Sequence, residues 1–146
     1  MKFKLVEQFE IQEAYYNKLY HGTTINNANK ILSSGTIELG KQFAGGRNVC
    51  FSRSFDFVKK FDVIFVFNRD KLNSRYKLKP VTDYKNFRGN QSQARFTTGS
   101  KAEEVTTEPV TNIFKYLDCI VIDDKFYNDK YNNDEIKVVP KSQYKR

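Results

Sequence analysis

The chain has no tryptophan, a single histidine and only two cysteines. One histidine and no Cys-x-x-Cys pair leave no ligand set with the spacing of a zinc site, so no metal is expected. Cys50 and Cys119 each sit in an apolar run, Val49-Cys50-Phe51 and Cys119-Ile120-Val121-Ile122. That setting reads as two buried free thiols rather than a disulfide, in keeping with a reducing compartment. No apolar run approaches the roughly 18 residues that a membrane-spanning helix needs. Met1 to Gln8 lack the apolar block of a secretory signal, so intracellular synthesis and a cytoplasmic location are expected. Nucleotide-fold signatures are missing too: Gly40 to Arg47 fits neither GxGxxG nor GxxxxGK[ST]. No GxSxG elbow surrounds any serine, which weakens a Ser-His-Asp hydrolase. Internal repeats and low-complexity tracts are also absent.

What is present is a basic, aromatic-rich chain. With 146 residues, 39% of them hydrophobic and including thirteen Phe and nine Tyr, it can bury a real core without tryptophan. That length predicts one domain, 1–146. Lys and Arg number 25 against 17 Asp and Glu, a net charge of +8 and a pI near 9.4. Such a surface attracts polyanions and phosphate-bearing ligands. The basic residues are spread along the chain, apart from Lys137, Lys141, Lys145 and Arg146 near its end. Charge alone therefore does not define a nucleic-acid binder.

The pattern predicts an α+β domain with largely antiparallel strands. Glu7 to Tyr16 has no clean period and reads as a short helix or an irregular lead-in. Lys18 to Gly22 reads as a strand. Thr24 then caps a helix through Ser34, with Gly35 as its left-handed stop. Thr36 to Leu39 is a short extended piece, and Gly40 to Arg47 a glycine-rich loop. Asn48 to Ser52 is a second strand, after which Ser54 caps a short helix turning Phe57, Val58 and Phe61 inward. Val63 to Phe67 is an unbroken apolar strand. Asp70 to Leu72 is a helical turn, and Tyr76 to Val81 extended. Thr82 to Lys101 is aperiodic, a length of loop that usually carries function or disorder. Glu104 to Thr107 is extended, Val110 to Leu117 helical, and Cys119 to Ile122 and Glu135 to Val139 close the chain as strands.

Three segments stand out in order: Leu19-Tyr20-His21-Gly22-Thr23, Phe51-Ser52-Arg53-Ser54 and Ala102-Glu103-Glu104-Val105. The first puts an imidazole at the end of a buried strand, beside a backbone turn open enough for a ligand. Together, from about Asn17 to Asp123, they resemble the ADP-ribosyltransferase superfamily. There a first strand ends in Arg or His, a second carries an aromatic-Ser-x-Ser, and a third begins with a catalytic Glu. The resemblance implies a split antiparallel β-sandwich with a few short helices, and NAD as substrate. It implies a carboxylate, Glu104 or else Glu103, at the ribose. His21, Gly22, Thr23, Ser52 and Ser54 would contribute to NAD binding, with His21 also in the catalytic set and Ser54 equally explained as a helix cap. Arg53 and Arg47 would meet the pyrophosphate or the acceptor, and Phe43 would stack on nicotinamide.

The chemistry fits those residue types. Cleaving the nicotinamide–ribose bond passes through an oxocarbenium-like state, which a fixed carboxylate favours. A neutral imidazole can hydrogen-bond the adenosine-side ribose, and the Gly22 backbone can approach the carboxamide. Neither Lys101 nor Ala102 supplies the Glu/Gln-x-Glu pair of many protein-modifying relatives. His21 resembles the diphtheria-toxin and poly(ADP-ribose) polymerase branch, whereas the serine motif resembles the cholera-toxin branch. The acceptor thus stays open between protein and nucleic acid. Tyr84 to Arg95, with Arg88, would be its recognition loop. Small stand-alone relatives occur in bacteria and their viruses as toxins or host-modifying factors, and a monomer without membrane partners is expected. The alternatives are an NAD glycohydrolase, with water as acceptor, and a non-enzymatic basic module binding nucleic acid or a partner, in which His21 and Glu104 are structural.

Overall fold

Val63–Asn68 (β3) is the strand around which the sheet is laid, and its sequence shows why. Val63, Phe65 and Phe67 pack into one hydrophobic cluster while Ile64 and Val66 pack into another. A strand buried on both faces reads as continuous apolar sequence rather than an alternation. The computed structural model describes residues 17–40, 48–80 and 103–145. In chain order the other elements are β1 (Lys18–Thr23), α1 (Ile25–Ser34), β2 (Val49–Ser52) and α2 (Phe55–Val58). After β3 come α3 (Arg69–Tyr76), β4 (Lys79–Pro80), β5 (Glu103–Thr106), β6 (Leu117–Ile122) and β7 (Val138–Pro140).

The strands hydrogen-bond in the order β4-β5-β2-β1-β3-β6-β7. All neighbours run antiparallel except β6 and β7, which are parallel. The described part is therefore α+β with a mixed sheet, as the mixture of strands and short helices predicts. In place of the two stacked sheets of a sandwich, the described strands form one hydrogen-bonded sheet. Its ladder is thinnest between β1 and β2, joined by the single registered pair Tyr20–Ser52, whereas β1 and β3 pair along their whole length. One face is covered by α1, through Ala28 and Ile31, and by Leu72 and Tyr76 of α3. The other is covered by Phe55 and Val58 of α2, with Tyr144 against them.

Local chemistry sets the element ends. The Thr24 side chain accepts from the Asn27 amide, and Gly35 at φ 71° closes α1 with its N–H on Ile31. Asn68 caps α3 in the same way through the Lys71 amide. Several expectations change. The Val110–Leu117 helix reduces to a 3-10 turn at Ile113–Lys115, because Asn112 is left-handed, Val110 bridges Ile37 and Leu117 already pairs with Phe67. In α2 the buried residues are Phe55 and Val58, three apart on one face, so Phe57 is not the inward one. α3 runs on to Tyr76, and the last strand is the shorter Val138–Pro140. Cys119 is buried, but Cys50 is exposed, since the strand period turns it away from buried Val49 and Phe51. Glu7–Tyr16, the loop 41–47 and the stretch 81–102 lie outside the described residues.

Gly22 answers a packing demand. A Cβ placed there would run into Cδ2 of the Phe61 ring and come 3.1 Å from the Phe61 Cβ. Because the clash reaches the root of the Phe61 side chain, it cannot be relieved by a rotation at the ring's far end. Gly22→Ala is expected to cost about 1–3 kcal/mol, the range for overpacking a core. A urea titration checks this: the midpoint should fall with an unchanged slope.

Candidate functional site

The register sets seven residues in one row across the sheet. Pro80 pairs with Glu104 and Glu104 with Phe51. The Tyr20–Ser52 pair puts Phe51 opposite His21. His21 then pairs with Phe65, Phe65 with Ile120 and Ile120 with Val138. His21 and Glu104 thus share a face with Phe51 between them, two strand spacings or about 10 Å apart. The His21 and Phe51 rings are 5.8 Å apart. The three strands singled out by the sequence are neighbours, in the order β5-β2-β1.

Glu104 has no exposed surface, and its carboxylate is held by two arginines. Arg69 donates from Nε to Oε2 at 2.7 Å and from Nη2 to Oε1 at 2.8 Å. Arg53 donates from Nε to Oε2 at 3.0 Å. The two arginine side chains are partly exposed, 19% for Arg53 and 28% for Arg69. Burial by itself would raise the Glu104 pKa, but the hydrogen bonds and charges of Arg69 and Arg53 outweigh it and hold the carboxyl below its ordinary value. Glu104 is therefore ionised, and the cluster carries one net positive charge. Arg69 is the residue that sequence reading missed. As the first residue of α3 it looks like a surface helix residue, and only the fold aims it at a carboxylate 35 positions away.

His21 lies on the other side of Phe51. Its Nδ1 is 2.9 Å from the Cys50 carbonyl oxygen, so the N–H at Nδ1 donates and Nε2 is left as the acceptor. Burial lowers its pKa and the bond to Cys50 only partly offsets that, which keeps the imidazole neutral. The ring lines a cavity of about 420 Å³ together with Asn27, Ile31, Thr36, Leu39 and Asn48. Glu104 is not part of that cavity's wall.

The remaining residues divide cleanly. Thr23 is buried, and its hydroxyl accepts from Asn27 Nδ2 at 2.7 Å, fastening the start of α1. The Ser52 hydroxyl donates to the Ser54 carbonyl at 2.9 Å and accepts from the Ser54 amide at 3.0 Å. Ser54 takes the N-cap place of α2 without a side-chain cap bond. Both serines thus shape the turn that delivers Arg53 to Glu104. Gly22 is covered by Phe61. Glu103 heads β5 opposite Ser52, and its side chain lies outside the described structure, as do Phe43, Arg47, Arg88 and Arg95. Among the described residues no group of His, Cys, Asp and Glu is placed to hold a metal ion, and no helix is long and apolar enough to cross a membrane. Comparison of the chain with known protein families, with curated proteins and with solved structures gives no match.

His21 and Glu104 both bear on the acid side of the stability profile. Both folded pKa values lie below their ordinary 6.5 and 4.5. Each therefore contributes stability that is complete above the unfolded value and is lost as pH falls through the folded one. Stability should begin to fall below about pH 6.5 through His21 and fall further below about 4.5 through Glu104. His21→Gln should remove the first step and Glu104→Gln should flatten the second. Glu104→Gln should also cost roughly 2–3 kcal/mol at pH 7, less than a fully buried pair loses, because both arginine side chains are partly exposed. Urea unfolding at a series of pH values reads all three.

Proposed function

We propose that the chain is an NAD-dependent ADP-ribosyltransferase, cleaving the nicotinamide–ribose bond and passing ADP-ribose to a macromolecular acceptor. The observation that carries this reading is the cross-strand row: a neutral imidazole and an ionised carboxylate on one face of three adjacent strands, two strands apart. A dinucleotide has a ribose on each side of its pyrophosphate, so two recognition groups at this separation match its length. The cavity beside His21 suits the adenosine end, with Nε2 accepting from a ribose hydroxyl. Its size, about 420 Å³, falls within the range of small-molecule sites.

Glu104 would then serve the nicotinamide-side ribose, where its negative charge favours the oxocarbenium-like state. Nicotinamide leaves with the electron pair of the broken C–N bond, and an acceptor nucleophile bonds to the ribose carbon. A carboxylate shared by two guanidiniums offers little to a cation, so the reading requires Arg53 and Arg69 to turn from Glu104 toward the substrate. The pyrophosphate is the group they would turn to, since guanidinium binds phosphate oxygens in the same forked geometry as carboxylate. Water as acceptor would make the same site an NAD glycohydrolase.

The second reading is the non-enzymatic basic module. It is favoured by the complete burial of Glu104 between Arg53 and Arg69, which by itself is the arrangement of a structural ion pair. Incubation with labelled NAD and a cell lysate separates the readings. Transfer of label to protein or nucleic acid supports the transferase, and nicotinamide release without transfer supports hydrolysis. Glu104→Gln, checked for fold by circular dichroism, should lower turnover by a factor of 100 or more, a loss of about 2.7 kcal/mol or more in transition-state stabilisation. His21→Ala should chiefly raise KM. Full activity in both variants would contradict the site, and no NAD consumption by the unaltered chain would leave the binding module.

A further inference from the structure

A second concavity lies at the other end of the sheet, along β6 and β7, and nothing in the NAD reading uses it. Its volume is about 510 Å³, and its polar and aromatic lining includes Lys18, Asp118, Tyr127, Lys137, Tyr144 and Lys145. The three lysines come from distant parts of the chain: the start of β1, the residue before β7 and the C-terminal segment. Their convergence is a product of the fold. Asp118, the one carboxylate in the lining, sits where the β3–β6 register shifts, and such irregularities re-aim side chains. Three ammoniums against one carboxylate leave the pocket positive. Among the described residues none of the three lysines forms an ion pair.

The aromatic part is built in. Tyr144 is fixed by its hydroxyl, 3.1 Å from the Tyr20 hydroxyl, and by its ring, 4.9 Å from that of Phe55. Tyr127 is half-buried at the pocket wall, with its hydroxyl accepting from Asn132 Nδ2 at 3.4 Å. Cys119, between the pocket and the core, has its thiol pKa raised by burial. Ammoniums for phosphates beside phenol rings for a base are the two components of single-strand recognition. A duplex keeps its bases stacked and offers none to such a pocket, and an acidic peptide would use the lysines alone.

We propose that this pocket is a docking site for single-stranded nucleic acid, seating one base against Tyr127 and Tyr144 with the flanking phosphates on Lys18, Lys137 and Lys145. It lies apart from the His21 cavity and stands or falls independently of the NAD chemistry. The probe is a fluorescein-labelled oligothymidylate, followed by anisotropy over a salt series with the full chain. Three phosphate contacts on a single strand give a slope of log affinity against log salt of about −2. The triple variant Lys18→Ala, Lys137→Ala, Lys145→Ala should bind at least roughly tenfold more weakly and lose most of that slope. Tyr127→Ala should weaken binding about 5- to 100-fold with the slope kept, since stacking carries no counterion release. A control triple, Lys71→Ala, Lys79→Ala, Lys115→Ala, removes the same charge elsewhere and should stay within about twofold. Equal losses in the two triples, no effect of Tyr127→Ala, equal affinity for duplex, or displacement by polyglutamate as effective as by unlabelled strand would each overturn the site.

Discussion

A carboxylate with no contact to water ties together three pieces of this chain. Glu104 belongs to β5, Arg53 to the turn after β2 and Arg69 to the first residue of α3. Removing a carboxylate from water costs several kcal/mol, and only close, well-directed partners offset that. Here Arg69 grips both oxygens and Arg53 adds a third bond. The outer strands β4 and β5 reach the rest of the sheet only through β2, and β2 shares just one registered pair with β1. The ion pair from β5 to α3 therefore supplies a tie that the backbone ladder itself lacks.

The same constraint shapes what the face can do. Along the row, Phe65, Ile120 and Val138 are buried and apolar, and the polar positions fall on either side of Phe51. On one side a neutral imidazole borders a cavity; on the other an ionised carboxylate is held by two partly exposed arginines. Under the proposed reading these become the two ends of a dinucleotide site. The cover over Glu104 is then the element that must respond to substrate. Exchanging Glu104 for another anion of similar geometry leaves a buried carboxylate unpaired, a cost of several kcal/mol that substrate binding must offset. An apolar cover would offer no such exchange.

Much of this was legible from local pattern. The strand that carries His21, which runs on to Thr23 rather than ending at the imidazole, the Thr24-to-Gly35 helix, the apolar run of β3 and the extended piece at Glu104 follow from propensity, capping and periodicity, which act over a few residues. What local pattern could not give was long-range. Arg69 looks like an ordinary helix-start residue until the fold brings it to Glu104. The left-handed Asn112 ended a helix that the apolar spacing of Ile113, Phe114 and Leu117 had promised. Gly22 was read as an approach to a ligand, and the structure gives the missing side chain a packing reason as well, since a Cβ there would meet Phe61. The Ser52 hydroxyl, read as a ligand contact, bonds instead to the Ser54 backbone. In each case a tertiary neighbour decided the role.

The central claim is that His21 and the Arg53–Glu104–Arg69 cluster serve one ligand across Phe51. Nuclear magnetic resonance tests it directly, because the Nε–H signals of both arginines and the His21 ring signals report separately on the two ends. On titration with NAD the account predicts that all three groups shift together and saturate at one concentration. Shifts at His21 alone, or at none of the three while NAD binds elsewhere, would contradict it.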